Sequence, residues 1–247
     1  MKQPEEIIYG RHPVEEALQS GRPLKKVILA QGLKDPTADR VGRLAKDAGL
    51  QVQLLERKRM DQLAPRMNHQ GVMALAPPYP YAALEDLLQR AASRGEDPLF
   101  LVLDHLQDPH NFGALLRTAE AVGAHGAVIP HRRAVGVTTG VYKSAAGAVE
   151  HLPVARVTNL ARALEEMKKQ GLWIAGADMQ GEQAFFQADL KGPLALVLGG
   201  EGKGISPLIK GKCDFLVRLP MMGKTGSLNV SVAGGILLYE IFRQRSR

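Results

Sequence analysis

The 247-residue sequence is poor in cysteine, in aromatic residues and in long apolar runs. Cys213 is its only cysteine, which excludes an internal disulfide and any multi-cysteine metal site. The longest apolar run, residues 230–239, falls well short of the roughly 20 residues that span a bilayer. Glu5 and Glu6 stand where a signal peptide would be basic and then apolar. These absences predict a cytoplasmic protein with no membrane partner.

Nucleotide-binding loops and metal sites are also missing. The segment 223–225 (GKT) ends like a phosphate-binding loop, but Arg218 occupies the position of the glycine that such a loop requires. Residues 199–204 (GGEGKG) fit neither common glycine-rich pattern, and Glu201 would repel a pyrophosphate. The histidines lack the paired spacing of metal ligands, so no metal is predicted. The position of Cys213 favours a small core thiol over a nucleophile.

Positive charge is present in excess and is shared between the two ends of the chain. The net charge is +7, of which residues 1–76 and residues 97–247 each carry +4. Such a balance favours a polyanionic partner. Three prolines between positions 77 and 80 stiffen the chain. We therefore predict two domains, 1–76 and 97–247, joined by a Pro-rich linker over 77–96 that includes a short helix at 83–92.

Apolar runs alternate with helical patterns along most of the chain. In the second domain the expected strands are 99–103, 126–129, 172–175, 194–198 and 215–219. In the first, the expected strands are 26–29, 51–55 and 71–75, with a helix at 37–48. Continuous apolar strands separated by amphipathic helices indicate an α/β fold, in which a parallel sheet is covered on both faces. The first domain is predicted to be a small α/β module.

Three loops that follow strands of the second domain are candidates for a binding site, because parallel sheets bind ligands at the carboxyl ends of their strands. The first, residues 104–111 (DHLQDPHN), leads into a helix that carries Arg117. One interpretation makes Asn111 a helix cap and Arg117 a solvated charge. The other notes that Arg117 lies in a largely apolar stretch and predicts an anion partner.

The second and third loops are rich in glycine and in small polar residues. Residues 198–204 (LGGEGKG) allow the backbone to approach a ligand closely, although a flexible surface turn remains the alternative. Residues 219–233 (LPMMGKTGSLNVSVA) enter an apolar helix through Ser227 and Asn229. A single helix cap accounts for only one of these two polar residues.

Together the three loops resemble the three sequence motifs of the SpoU/TrmH family of SPOUT methyltransferases. Residues 111–119 (NFGALLRTA) resemble the first motif, residues 198–204 the second and residues 219–233 the third. Residues 8–18 (IYGRHPVEEAL) resemble the start of the ribosomal-protein-L30e-like domain that precedes many members. Residues 131–138 (HRRAVGVT) resemble RlmB-type enzymes, which methylate a guanosine 2′-hydroxyl in the peptidyl-transferase region of 23S rRNA.

The resemblance implies a SPOUT α/β domain with a C-terminal trefoil knot, a homodimer, and S-adenosylmethionine as cofactor. It implies that Gly199, Leu219 and Leu228 hold the cofactor, mainly through the backbone. The catalytic set that it implies is Asn111, Arg117, Glu201, Ser227 and Asn229.

The family assigns the base that accepts the hydroxyl proton to the arginine of the first motif, here Arg117. A guanidinium normally stays protonated, so two roles remain open. Arg117 acts as a base with help from an RNA phosphate, or it stays charged and stabilises the developing alkoxide.

An enzyme that modifies RNA must also bind the RNA around the target. The candidates in the first domain are basic residues, each of which has solvated surface as its alternative: Arg11, Lys25, Lys26, Arg57, Lys58 and Arg59. The partner is 23S rRNA or a ribosome-assembly intermediate. The alternatives are a tRNA guanosine-2′-O-methyltransferase, a type that lacks the first domain, and a non-catalytic RNA-binding or ribosome-assembly protein on the same fold.

Overall fold

A computed structural model describes residues 5–65, 67–224 and 226–246. Thr225 of the third motif and Arg247 at the end of the predicted second domain lie outside the described residues. The chain divides between Pro80 and Tyr81 into two compact units. Within the segment predicted as a linker, residues 77–80 belong to the first unit, while residues 81–96 belong to the second and contain a helix.

The first unit is a small α/β module. Its elements are β1 (Glu6–Tyr9), α1 (Arg11–Gln19), β2 (Lys26–Ala30), α2 (Pro36–Asp47), β3 (Gln51–Leu55), α3 (Arg57–Leu63) and β4 (Val72–Ala76). The described strands lie in the order β1-β4-β2-β3. β4 is antiparallel to both β1 and β2, and β2 is parallel to β3. The predicted strands and helix are confirmed, whereas β1, α1 and α3 were not predicted.

The two faces of this sheet are covered unequally. On one face, residues of α1 and α2 such as Val14 and Val41 pack with Val27 and Val72 in an apolar core. Asp35 fixes the start of α2, because its side chain accepts hydrogen bonds from two backbone N–H groups of the first turn, each at 3.0 Å. On the other face, a smaller cluster forms around Met60 at α3. The second face is therefore the more open one.

The second unit contains the remaining elements. They are α4 (Leu84–Arg94), β5 (Leu99–Asp104), α5 (Pro109–Ala121), β6 (Gly126–Pro130), α6 (Thr139–Ala145), β7 (Val154–Val157), α7 (Leu160–Lys169), β8 (Trp173–Ala177), β9 (Gln183–Ala184), β10 (Leu194–Gly199), α8 (Pro207–Lys210), β11 (Phe215–Arg218) and α9 (Val230–Arg245). The described strands form one sheet in the order β7-β6-β5-β10-β8-β11-β9, and each neighbouring pair is parallel.

Helices cover both faces of this sheet. Phe100 and Val197 face a core that includes residues of α4, α7 and α8. On the opposite face α9 packs against α5 and β10, where a side chain at Gly234 would collide with Leu115 and Leu198. Alternate residues of each central strand thus point into two separate cores. The expected parallel α/β fold with both faces covered is confirmed, and the five predicted strands are present.

Candidate functional site

The sheet of the second unit reverses its winding between β5 and β10. After β5 the chain continues through α5 to β6 on one side, and after β10 it continues through α8 to β11 on the other. The helices α5 and α8 lie on opposite faces of the sheet. Such a switch point opens a crevice at the carboxyl ends of the two strands. The loops that follow β5 and β10 are the first and second candidate loops of the sequence.

The loop after β10 is closed tightly upon itself. A Cβ atom at Gly199 would lie 1.9 Å from the carbonyl carbon of Gly204, so no larger residue fits there. A Cβ atom at Gly200 would lie 2.5 Å from the backbone oxygen of His105. Gly202 and Gly204 have φ angles of 78° and 62°, which disfavour residues with a Cβ atom. The glycines therefore give this loop a defined shape, although residues 201–204 lie exposed in a surface turn.

Asp104 ties this loop to the end of β5. Its side chain is buried, and its Oδ2 accepts a hydrogen bond from the backbone N–H of Ser206 at 2.8 Å. Its backbone oxygen accepts a hydrogen bond from the backbone N–H of Gly200 at 2.8 Å, and its Oδ1 lies beside Nδ1 of His105. Sequence reasoning missed this residue. The available signal was a carboxylate that ends an otherwise continuous apolar strand.

The start of α5 is capped by Asp108 and not by Asn111. Asp108 Oδ1 accepts a hydrogen bond from the backbone N–H of Asn111 at 2.7 Å, and Pro109 occupies the first helical turn. The interpretation of Asn111 as a cap is wrong for this reason. Its side-chain amide is free to bond elsewhere.

The start of α9 is capped by Asn229. Its Oδ1 accepts hydrogen bonds from the backbone N–H of Ser231 at 2.9 Å and from the hydroxyl of Ser231 at 2.6 Å. The amide nitrogen of Asn229 remains available as a donor. The cap thus holds the Asn229 side chain in one orientation at the end of the third loop.

One chain of hydrogen bonds joins the three loops. Asn229 Nδ2 donates to Asn111 Oδ1 at 3.1 Å, and Asn111 Nδ2 donates to Glu201 Oε1. Asn111 is 90 positions from Glu201 and 118 positions from Asn229 in the sequence. All three side chains are at least partly exposed at the crevice edge. The structure therefore brings together three of the five residues of the expected catalytic set.

Arg117 and Ser227 lie outside this hydrogen-bonded chain. Arg117 is exposed on α5, six residues after Asn111, which corresponds to about 9 Å along the helix. Its guanidinium has no hydrogen bond or ion pair within the part of the chain that the structure describes. Ser227 is exposed, and it likewise has no bond to another described residue.

The three residues expected to hold a cofactor lie at the same edge of the sheet or in the loop above it. Gly199 ends β10, and Leu219 follows β11, with β8 between the two strands. Two strand spacings separate them by about 10 Å. Leu228 is 39% exposed and Met222 is 99% exposed. The closed glycine loop and these exposed apolar side chains thus lie at the carboxyl edge of the sheet or in the loop that follows β11.

The family models agree with this arrangement. Residues 98–239, more than half of the chain, match the SpoU rRNA Methylase family. The chain belongs to this family. Residues 7–82 match the model for RNA 2'-O ribose methyltransferase substrate binding. The resemblance seen in the three motifs is thus confirmed at the level of the SpoU family, and so is the expected order of a substrate-binding domain followed by a methylase domain.

Individual relatives and solved structures agree with the SpoU assignment. A Bacillus subtilis protein assigned to the TrmH family of tRNA/rRNA methyltransferases, YacO, is 51% identical over 246 residues, covering 100% of this chain and 98% of its own. The SpoU methyltransferase AviRb of Streptomyces viridochromogenes, solved with AdoMet, is 27% identical with a TM-score of 0.70, covering 98% and 91% of the two chains. An RNA 2'-O ribose methyltransferase structure is 29% identical with a TM-score of 0.66, covering 99% and 90%.

Three of the basic residues proposed for RNA binding in this SpoU chain have internal partners. Arg11 forms an ion pair with Asp35 at 2.6 Å, which ties α1 to the cap of α2. Lys25 pairs with Glu5, and this contact lowers the pKa of the Glu5 carboxyl. Lys26 donates to the Gln53 side chain at 2.9 Å. The side chains of these three residues therefore already have partners within the chain, which the sequence alone could not show.

The other three basic residues are unpaired. Arg57, Lys58 and Arg59 are exposed along α3, and their side chains have no hydrogen bond or ion pair to another described residue. They are consecutive, so they surround this short helix with positive charge. Among the six candidates, these are the ones most available to a phosphate backbone.

The single cysteine of this SpoU chain is a free thiol of intermediate burial. Cys213 packs against the core, and burial raises the pKa of its thiol to about 11. Over residues 5–65, 67–224 and 226–246 there is no cluster of side chains suited to a metal ion. In the same ranges no helix combines the length and apolar character that a membrane crossing requires.

Proposed function

We propose that this SpoU-family chain methylates the ribose 2′-hydroxyl of RNA, with a guanosine in the peptidyl-transferase region of 23S rRNA as its acceptor. The observation that carries the proposal is the hydrogen-bonded chain from Asn229 through Asn111 to Glu201. It unites the three motif loops at the switch point of the sheet, where an α/β fold binds its ligands.

The methyl donor is S-adenosylmethionine. Gly199, Leu219 and Leu228 hold it, mainly through the backbone. When bound, this cofactor supplies a methyl group that its sulfonium sulfur activates for transfer to oxygen. AviRb, which shares the fold over 98% of this chain, was solved with AdoMet. The protein's task is therefore mainly to position the two reactants and to assist loss of the hydroxyl proton.

The polar chain orients the acceptor. Because Asn111 already accepts from Asn229 and donates to Glu201, its amide is held in a fixed orientation at the start of α5. Glu201 keeps a second carboxylate oxygen that is available to a ribose hydroxyl. Ser227, exposed two positions before Asn229, lines the acceptor side of the same pocket. These side chains set the position of the 2′-oxygen.

Arg117 supplies positive charge. Its exposed guanidinium has no carboxylate partner among the described residues, so its charge is available to an anion. Guanidinium groups keep their proton in proteins. We therefore favour the role in which Arg117 stabilises the developing alkoxide and binds the adjacent phosphate, over the role of a base.

A homodimer brings Arg117 to the site of its partner. The helix α9 exposes Val232, Ile236 and Tyr239 at spacings of four and three residues, which places them on one face. Ile236 is 38% exposed and Tyr239 is 55% exposed. Thr118, the neighbour of Arg117, approaches α9 at Gly235. Burial of this apolar stripe against a second copy would place Arg117 at the interface.

RNA binding is divided between the two units. The unpaired Arg57, Lys58 and Arg59 contact the phosphate backbone of the rRNA or of an assembly intermediate, in the cytoplasm where ribosomes are built. The match of residues 7–82 to a substrate-binding model supports this division. Binding by phosphate contacts fixes the position of the RNA without reading its sequence.

The test measures methyl transfer by the variant Arg117→Ala. Arg162→Ala is the matched control, because Arg162 is an exposed arginine on α7, on the other face of the sheet. Loss of one charge that stabilises the transition state costs about 10²–10³ in turnover. We expect that loss for Arg117→Ala, with unchanged S-adenosylmethionine affinity by calorimetry, and normal activity for the control. Near-normal turnover of Arg117→Ala would refute the role given to this residue.

A further inference from the structure

A cavity of about 280 Å³ lies on the more open face of the first unit's sheet, beside α3. Its apolar floor includes Ile28, Met73 and Leu75 from β2 and β4, and its polar rim is formed by Lys26, Gln53 and Arg59. Among the described residues that line it, none carries a negative charge. The volume is close to the lower end of ligand pockets, roughly 300–1,000 Å³, so it suits one small planar group and not a helix or a strand.

The rim of this cavity offers hydrogen-bond donors only. Lys26 Nζ donates to Gln53 Oε1 at 2.9 Å, and because an ammonium has no acceptor, the amide oxygen of Gln53 must face Lys26. The NH₂ group of Gln53 and the remaining N–H bonds of Lys26 are then left for a ligand. The guanidinium of Arg59, which has no bond to another described residue, adds further donors. A ligand edge with adjacent acceptors and no donor is the best match.

Guanine is the RNA base with such an edge. Its O6 and N7 atoms are neighbouring acceptors, whereas adenine and cytosine each place an amino donor at the corresponding edge. Apolar side chains can stack against the base, and the positive charge of Lys26 and Arg59 complements the RNA backbone. Proteins that recognise an RNA sequence do so mainly through unpaired bases.

We propose that this cavity binds an unpaired guanine base of the RNA substrate through its O6 and N7 atoms. This inference rests on the proposed function, because it takes RNA as the substrate. It adds sequence selectivity to a unit whose other exposed α3 cations, Arg57 and Lys58, lie outside the cavity lining and provide contacts to phosphate alone. The cavity is formed by residues of the first unit alone, whereas the candidate catalytic residues all belong to the second, so its role is to select the RNA.

The experiment measures RNA binding by the full chain, by fluorescence anisotropy at one salt concentration. The probes are a ten-residue adenosine RNA and two versions with a central guanosine or 7-deazaguanosine, which lacks the N7 acceptor. A bidentate contact to guanine predicts that wild type prefers the guanosine probe by about tenfold. The 7-deaza probe should lose most of that preference.

Two variants of β3, one inside the cavity and one outside it, test the polar rim. Gln53→Leu removes the amide inside the cavity and should abolish the preference while leaving affinity for the adenosine RNA unchanged, which also shows that it folds. Gln51→Leu alters an exposed glutamine of β3 outside the cavity lining and should keep the preference. Lys26→Met should also abolish the preference, and because it removes a positive charge it should weaken the binding of both probes.

Equal binding of the guanosine and adenosine probes by wild type would overturn the inference, as would a preference that survives Gln53→Leu. Neither result would touch methyl transfer, which is measured separately. Conversely, a guanine preference in a chain that transfers no methyl group to RNA would overturn the proposed function and leave the cavity assignment standing.

Discussion

The two units of the chain differ in how they cover their sheets. In the second unit, helices pack on both faces, and the hydrogen-bonded residues of the motif loops lie at the carboxyl edge of parallel strands. In the first, α1 and α2 cover one face while the short α3 leaves much of the other accessible. A closed sheet fixes a reacting geometry, and a half-open sheet with a basic rim provides a surface for recognition.

The largest expected effect concerns the apolar stripe of α9. Ile236→Asp places a charge in the middle of the proposed dimer interface, so the chain should sediment as a monomer. Because Arg117 would then be absent from the partner's site, methyl transfer should fall by about 100-fold or more. Analytical ultracentrifugation and a methyl-transfer assay measure the two effects.

The matched control is Leu208→Asp, since Leu208 is 66% exposed on α8, on the other face of the sheet. It should leave both mass and activity unchanged. A fully active Ile236→Asp monomer would show that the second unit completes its site alone.

A pair of glycines tests the close packing of the second unit. A Cβ atom at Gly113 would lie 2.8 Å from backbone atoms of α6, so Gly113→Ala forces the two helices apart. Overpacking of this kind should lower the free energy of unfolding by about 1–3 kcal/mol. At Gly235 a Cβ atom meets nothing closer than 4.0 Å. Gly235→Ala should therefore raise the free energy of unfolding by about 0.5–1 kcal/mol, because alanine favours a helix over glycine by that amount.

Denaturant unfolding followed by circular dichroism measures both changes. Opposite signs for the two variants are the expected result. Equal effects would mean that α5 and α6 are not packed as closely as described.

The next effect concerns the α3 cations of the first unit. Each phosphate contact removed should make the plot of log binding constant against log salt shallower by about 0.7 for single-stranded RNA. Arg57→Gln combined with Lys58→Gln should therefore reduce the slope and weaken binding several-fold, without changing S-adenosylmethionine affinity. Arg162→Gln in the second unit is the control, and an equal loss there would break the assignment of RNA binding to the first unit.

The smallest effect is expected at Cys213. Because burial raises the pKa of its thiol to about 11, the thiolate fraction stays small until the pH approaches that value. Ellman's reagent should label the native chain slowly at pH 8 and the unfolded chain completely. Cys213→Ala should retain full methyl transfer. Rapid native labelling would contradict the burial of this thiol in the second unit's core.

Apolar periodicity predicted much of the fold, and the elements that it missed have identifiable causes. The buried strands β5, β6 and β10 are continuous apolar runs and were predicted. β7 was not, because Arg156 interrupts its apolar residues. α1 was missed because Pro13 lies within it, although proline is compatible with a first helical turn.

The site was predicted through motifs and not through geometry. Sequence spacing could not show that Asn111, Glu201 and Asn229 are joined by hydrogen bonds, since this depends on the order of strands in the sheet. It also could not show which cations have internal partners, such as Arg11 with Asp35. Asp108 as the cap of α5 was within reach, because Pro109 directly follows it.

The measurement that tests the central claim most directly is a map of ribose 2′-O-methyl groups in rRNA and tRNA from a strain that lacks this chain. We expect one methyl group to be missing from a guanosine of 23S rRNA. It should return with the wild-type chain and stay missing with Arg117→Ala. An unchanged map, or a loss confined to tRNA, would contradict the proposed function.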